Sequence, residues 1–252
     1  MESYKKFLED RILIGKGAMS SVFLWNKKAY KCFDDNYPKT WIDYEYKVQN
    51  EICKSKLNLP KYYKCSFKNV IKMDYIDGKT TADMISIYGK DKVLEDFINY
   101  QEKIHEVKDL DLEDLSVYLR KQIRKANIND TQKKNALAYL TEINKTKEDK
   151  ALCHMDYHFL NTMYMNEEIY VIDWIDARIG KPILDYARSY VITYEYAPGF
   201  KNKYLKQILK RNNYNKELFK KAVYVNVINR IVEHDSKRIR KLLDELDNNK
   251  WA

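Results

Sequence analysis

The sequence predicts an α+β chain in two parts: a small antiparallel-sheet N-terminal lobe with one helix, then a larger, mostly helical lobe. Three observations predict it. Short apolar and β-branched runs surround one helical pattern before residue 77, in the order β-β-β-α-β-β. Beyond Asp77-Gly78 the apolar spacing becomes mainly helical. Finally, only six of 252 residues are Gly and four are Pro, far below the usual share of about 12%. That shortage excludes collagen-like repeats, Pro-rich or Gly/Ser-rich linkers and a turn-dense β-sandwich.

The elements follow in order. Arg11–Gly15, Ser21–Trp25 and Ala29–Phe33 read as strands separated by Gly or by Asn26-Lys27-Lys28. A helical pattern runs from about Tyr37 to Leu57, through Trp41, Tyr44, Val48 and Ile52, and Pro60 lies just beyond it. Strand runs return at Tyr62–Ser66 and Asn69–Tyr75. Three amphipathic helices are then expected around Val93–Val107, Leu115–Ile123 and Ala136–Ile143. Short strands fill Ala151–Ile175, and helices continue from about Ile183. The expected division is residues 1–76 for the first lobe and 77–252 for the second.

Hydrophobic residues make up 45% and charged residues 33%, as in a soluble globular protein. No run suits a transmembrane helix, and the first residues lack the apolar core of a signal peptide, so a cytoplasmic location is expected. Cys32, Cys53, Cys65 and Cys153 show no paired metal spacing and read as free thiols. The net charge of +9 is concentrated from Lys201 onward, where 14 Lys/Arg face six Asp/Glu. Helical apolar positions interleave with these charges, so a solvated helix face is expected rather than a nucleic-acid surface.

Chemistry concentrates in His154-Met155-Asp156-Tyr157-His158-Phe159-Leu160-Asn161, followed by Tyr170-Val171-Ile172-Asp173-Trp174. The intervening residues read as a hairpin, Thr162–Met165 and Ile169–Ile172 around a turn. Two carboxylates and an amide oxygen in this pattern are hard ligands suited to Mg²⁺ beside phosphates. One Asp to orient an attacking hydroxyl, with an Asn and a second Asp for metal, is the set phosphoryl transfer needs. Upstream, Ile14-Gly15-Lys16-Gly17-Ala18-Met19-Ser20-Ser21-Val22 reads as a Gly-rich loop whose backbone can approach phosphates. Lys31 sits in the third strand, where a phosphate-contacting lysine belongs. Its partner on the following helix is Glu45 or Glu51, with Glu51 preferred for its place near the helix end.

These residues resemble the aminoglycoside phosphotransferase/choline kinase family over roughly Ile12 to Tyr190. The likeness rests on Gly15-Lys16-Gly17, Lys31, Glu51, the hinge Tyr75-Ile76-Asp77-Gly78, His154–Asn161, Ile172-Asp173-Trp174 and Pro182-x-x-Asp185-x-Ala187. It implies a bilobal protein kinase-like fold and a Mg²⁺-dependent transfer from ATP or GTP to a small-molecule hydroxyl. Asp156 is then the base or hydroxyl-orienting residue, and Asn161 and Asp173 are Mg²⁺ ligands. Gly15, Gly17, Ser20, Ser21, Lys31, Glu51, Met73, Asp74 and Ile76 contact or position the nucleotide. His154, His158 and Asp185 support the loop.

Where the family often has Gly and Pro, this chain has Met155 and Phe159. No Asp-Phe-Gly or Ala-Pro-Glu occurs, and eleven residues separate Asp173 from Asp185, too few for a long activation segment. An atypical kinase acting on a protein or translation component, or a nucleotide-binding pseudokinase, is the alternative. Tyr157, Asp176 and Arg178 are candidate substrate contacts, while Tyr186, Tyr190 and Tyr194 read as core. The basic C-terminal region argues against a strongly acidic aminoglycoside cleft and leaves room for a neutral or anionic acceptor. The expected partners are a nucleotide and a small molecule, without membrane or nucleic acid, and the chain is expected as a monomer or weak dimer.

Overall fold

The computed structural model describes residues 3–17 and 19–251; Ala18, within the expected Gly-rich loop, lies outside the described residues. The chain forms two compact units. The first comprises the residues up to Thr80 together with Thr162–Ile175, and the second comprises Thr81–Asn161 with the residues from Asp176 onward.

In the first unit, β1 (Ile12–Lys16), β2 (Ser20–Trp25), β3 (Lys28–Phe33), β4 (Tyr62–Tyr63) and β5 (Val70–Asp74) make one antiparallel sheet in the order β1-β2-β3-β5-β4. Alternation along β3 divides its side chains between two faces. Tyr30 packs with Phe7, Trp25, Phe67 and Val70 on one face, with Cys32 beside them. Phe33 packs on the other with Ile42 and Ile71. Lys31, two residues from Phe33, shares that second face, the face that receives the long helix of this unit.

Tyr4–Asp10, to which the sequence pattern assigns no element, form helix α1, capped by the Ser3 side chain. Its single fully buried residue, Phe7, fastens it to the sheet; a side chain of this size contributes about 1.5–3 kcal/mol when buried. Helix α2 (Lys39–Ile52) buries Ile42, Glu45, Val48, Gln49 and Ile52. That stripe follows the i, i+3, i+7 and i+10 spacing of one helix face. Trp41 lies off it and is 57% exposed.

A second, three-stranded sheet in this unit joins β6 (Lys79–Thr80), β8 (Thr162–Met165) and β9 (Glu168–Val171). β8 and β9 form the expected hairpin, with Thr162 opposite Val171. Asn166 and Glu167 at its turn both have positive φ, as a tight two-residue connection requires.

The second unit is mainly helical. Helix α3 (Thr81–His105) is broken at Gly89, whose φ of 80° and ψ of 160° are non-helical. Helices α4 (Leu115–Lys125), α5 (Asp130–Asn144), α6 (Pro182–Tyr196), α7 (Lys201–Arg211), α8 (Lys216–Glu233) and α9 (Lys237–Asp247) follow, with β7 (Ala151–Cys153) paired to β10 (Arg178–Gly180). Helix α6 is buried all round from Ile183 to Glu195, which marks it as the central helix of the unit. Tyr186, Tyr190 and Tyr194 are all core residues. Helices α7 and α9 each bury one apolar stripe, so the basic C-terminal charges lie mostly on exposed faces. Among the described residues no helix is long and apolar enough to cross a membrane.

Gly78 is required where the chain turns into β6. A Cβ there would lie 2.2 Å from the Tyr164 carbonyl oxygen, a backbone atom that cannot step aside alone. Gly78→Ala should therefore destabilise the protein by about 1–3 kcal/mol, the usual cost of forced overpacking. Denaturant melts would check this, and an unchanged midpoint would contradict the close approach.

Candidate active site

Lys31 is the centre of a charged cluster in the first unit. Its Nζ donates to Glu45 Oε1 at 2.9 Å and to Asp173 Oδ1 at 3.1 Å. Tyr62 Oη also donates to Glu45 Oε1, at 2.9 Å. Burial would lower the Lys31 ammonium, but the charges of Asp173 and Glu45 outweigh it and hold the lysine above its ordinary range. Burial raises the Glu45 carboxyl, and Lys31 only partly reverses this. Among the described residues Glu45 Oε2 has no hydrogen-bond partner, so the cluster keeps an unused acceptor.

The preference for Glu51 is corrected here. Glu45 belongs to the buried stripe of α2, whereas Glu51, six residues on, is turned about 120° away from it and pairs with Lys54 at 2.6 Å.

The β1–β2 register slips between Leu13 and Gly15, and the Gly17 N–H donates to the Ser20 carbonyl at 2.8 Å. That donor is thus engaged within the chain. Ser20 and Ser21 open β2, with Ser21 opposite Cys32. Met73 and Asp74 end β5, and Ile76 is buried in the segment that follows. The Asp74 carboxylate is engaged by Lys28 Nζ at 2.8 Å, the Tyr63 hydroxyl at 2.7 Å and the Lys61 N–H at 3.0 Å.

Asp173 has a φ of 61°, the left-handed region that few side chains adopt, and its side chain is 42% exposed. The following Trp174 is buried and donates from Nε1 to the Val171 carbonyl at 2.9 Å. This anchors the exit of the hairpin beside Asp173.

In the second unit, the loop after β7 carries Asp156 and Asn161. Asn161 Nδ2 donates to the Asp156 carbonyl oxygen at 3.0 Å and to Asp156 Oδ2 at 2.9 Å. His158 Nε2 lies 3.4 Å from the same Oδ2. The Asp156 N–H donates to His154 Nδ1 at 3.2 Å. Burial alone would raise the Asp156 carboxyl. The His158 hydrogen bond and charge, with Arg188 and His154 behind, hold it well below the usual carboxylate range.

The loop is clamped at Met155, whose φ is 64°. Its N–H donates to Asp185 Oδ1 at 2.7 Å, and its carbonyl accepts from Arg188 Nε at 2.9 Å. Asp185 is fully buried, and its other oxygen contacts His105 Nε2 at 2.9 Å and Gln101 Nε2 at 3.1 Å. Arg188 also bonds to Glu233. The sequence reading omits Arg188, although its place three residues after Asp185, one helical turn on, is the signal that could have found it.

Two expected substrate contacts are corrected. Tyr157 is wholly buried, stacks at 4.3 Å on Phe97 and donates its hydroxyl to the Phe97 carbonyl at 2.8 Å. Arg178 is fixed in the β7–β10 pair, bonded to Glu113 at 3.1 Å and lying 4.7 Å over the Tyr118 ring. Both side chains serve packing. Asp176 is half-buried. Its carboxyl is pushed up to about 7, first by burial, then by the charges of Asp156 and Glu233, against Arg178 and Arg188.

Beside Asp156 a cavity of about 720 Å³ opens within this unit. Phe97, Phe159, Phe200 and Tyr196 supply aromatic surface, and Lys90 and Arg230 supply cations.

The first unit holds a lysine–glutamate–aspartate cluster and the second an Asp-x-x-x-x-Asn loop, residue types that phosphoryl transfer uses. The chain belongs to the phosphotransferase enzyme family, whose model matches residues 61–217. No curated protein matches the sequence.

Solved structures of similar fold include a choline/ethanolamine kinase family protein from Mesorhizobium loti. It is 12% identical, with 95% of this chain and 86% of that chain covered, at a TM-score of 0.64. A thermostable mutant of aminoglycoside phosphotransferase APH(4)-Ia, in ternary complex with ADP and hygromycin B, is 15% identical over 98% and 97%, at 0.64. A streptomycin–ATP–APH(2″)-IIa ternary complex is 17% identical over 98% and 97%, at 0.60. The fold is therefore the bilobal, protein kinase-like fold of these proteins.

Asp176 gives a pH test. The unfolded carboxyl loses its proton near its ordinary value of 3.8, whereas the folded one keeps it up to about 7. The native state binds the extra proton between these values, so this contribution to stability is lost as pH rises from about 4 to about 7. Thermal melts of wild type and Asp176→Asn across that window should show wild type losing ground to the variant as pH rises. A constant difference would count against the raised value.

Proposed function

We propose that the protein is a Mg²⁺-dependent kinase that moves the γ-phosphate of ATP or GTP to a hydroxyl of a small molecule. The observation that carries this reading is Asp156, a carboxylate kept ionised at the wall of a cavity large enough for a small acceptor. An ionised carboxylate can accept a hydrogen bond from the acceptor hydroxyl and aim its oxygen at phosphorus.

Lys31, held by Glu45, would contact the nucleotide phosphates. The Gly15–Ser21 turn would cover them, and the segment Met73–Ile76 would receive the base through its backbone. The available donors fit a magnesium ion. Asn161 uses its amide nitrogen on Asp156 and keeps its carbonyl oxygen, and Asp173 offers an exposed carboxylate with one oxygen on Lys31. A magnesium ion taken up by such oxygen ligands would neutralise phosphate charge. His154, His158 and Asp185 act through the shape of the loop. The short stretch after Asp173 favours a small acceptor over a protein.

Asp156→Asn should cut phosphate transfer by at least about 10²-fold, the cost of losing the orientation of a reacting group. Stabilisation by Mg-nucleotide in thermal melts should persist in this variant. Equal turnover by variant and wild type would sink the assignment. Glu45→Gln should weaken Mg-ATP binding by about tenfold, and Glu51→Gln should leave it within about twofold, measured by titration calorimetry. The reverse order would return the lysine's partnership to Glu51.

A further inference from the structure

We infer that the acceptor cavity takes an amphiphilic hydroxy compound with a flat apolar body and one anionic group, and not a polycation. This rests on the kinase reading for the fate of the hydroxyl, and on the cavity alone for the chemistry of the molecule.

Among the described residues Asp156 is the only carboxylate on the cavity wall, and the reaction itself needs it. A sugar bearing several ammonium groups would require several acidic partners there, because each desolvated cation needs its own counter-charge. The wall offers the opposite sign. Lys90 is exposed at its edge, with Nζ 5.9 Å from the Phe200 ring centre. Arg230 reaches the wall while bonded to Glu195 at 2.9 Å and to the Tyr196 hydroxyl at 2.8 Å. Its terminal nitrogens carry two N–H groups each, so these bonds leave donor capacity. Glu195 and Glu233 both pair with Arg230, the second at 3.5 Å, and Glu233 also pairs with Arg188, but neither carboxylate is on the wall. The break of α3 at Gly89 also starts a new helical run at Lys90, adding the positive end of a helix dipole at that edge.

Most of the rest of the wall is apolar or aromatic, with His158 and Thr193 also on it. Phe159 packs edge-on between Phe97 at 4.7 Å and Phe200 at 4.9 Å. Such a wall could in principle hold a quaternary ammonium. Here, however, the Lys90 ammonium already lies beside the Phe200 ring, so a ligand cation at that edge would meet a like charge and an anionic group an opposite one.

The test is a matched pair of probes, 3-phenyllactate and phenyltrimethylammonium, which share a phenyl ring and differ in charge. Titration calorimetry on the full chain should show the anion binding at least about tenfold tighter than the cation, and Lys90→Glu should remove most of that preference. Lys90 is exposed, so the variant does not threaten folding. Equal or tighter binding of the cation, binding of neither probe, or a Lys90→Glu variant with unchanged affinities would overturn the inference. Mg-ATP protection of the wild type in thermal melts is read separately. Its absence would defeat the kinase reading while leaving the cavity result standing.

Discussion

The buried carboxylate of Asp185 is the constraint on which the loop bearing Asp156 depends. A charge without solvent exposure is tolerated only when hydrogen-bond donors or an opposite charge compensate it. Asp185 finds these in His105, Gln101 and the Met155 N–H. Burial pushes its carboxyl up, and His105 with these hydrogen bonds more than reverses that, so it stays ionised. Met155 needs the restraint, because a left-handed backbone costs a side-chain-bearing residue roughly 1–2 kcal/mol. Asp185 holds one side of this residue and Arg188 the other, both from α6. The strained turn is thus fixed by the most buried helix of the unit, and Asp156 inherits its position.

The first unit solves a parallel problem with different parts. Strand alternation turns Lys31 to the α2 face, and the helical period brings Glu45 to meet it. Asp173, like Met155, has a left-handed backbone. It is anchored by the hairpin before it and by Trp174 after it. Each unit therefore places the carboxylate of its candidate site on or beside an unfavourable backbone conformation that ordinary packing supports. Such strain persists only where the surroundings over-determine it.

Much of this was legible in the sequence. The strand order, the hairpin and the Asp-x-x-x-x-Asn spacing depend on local periodicity and turn chemistry, which a sequence displays directly. The partner of Lys31 depends on helix phase. Glu51 was preferred for its place near the helix end, whereas helix phase puts Glu45 on the buried face with Ile42, Val48 and Ile52. Tyr157 looked like a wall residue because it adjoins Asp156 in the chain. Its buried place follows from Phe97, sixty residues away, and no local pattern reports that. Arg178 was misread for the same reason, since its partners Glu113 and Tyr118 come from a distant segment. Helix α1 is short and rests on one phenylalanine, too little for a periodic signal.

The electrostatics also refine what Asp156 can do in the proposed reaction. A carboxylate held far below its usual range is a weak base, and Brønsted behaviour makes it a poor resting place for a proton. It remains a good hydrogen-bond acceptor, so its contribution lies mainly in orienting the hydroxyl before the bond to phosphorus forms. Phosphoryl transfer tolerates this, because little nucleophilic activation is needed in a loose transition state. Asp176 titrates near neutrality, but its raised value depends partly on the Asp156 charge. The two carboxyls are therefore coupled, and protonating one eases ionisation of the other. Their pH response belongs to the pair, with Asp156 ionised and Asp176 carrying the proton that the crowded charge of the loop favours.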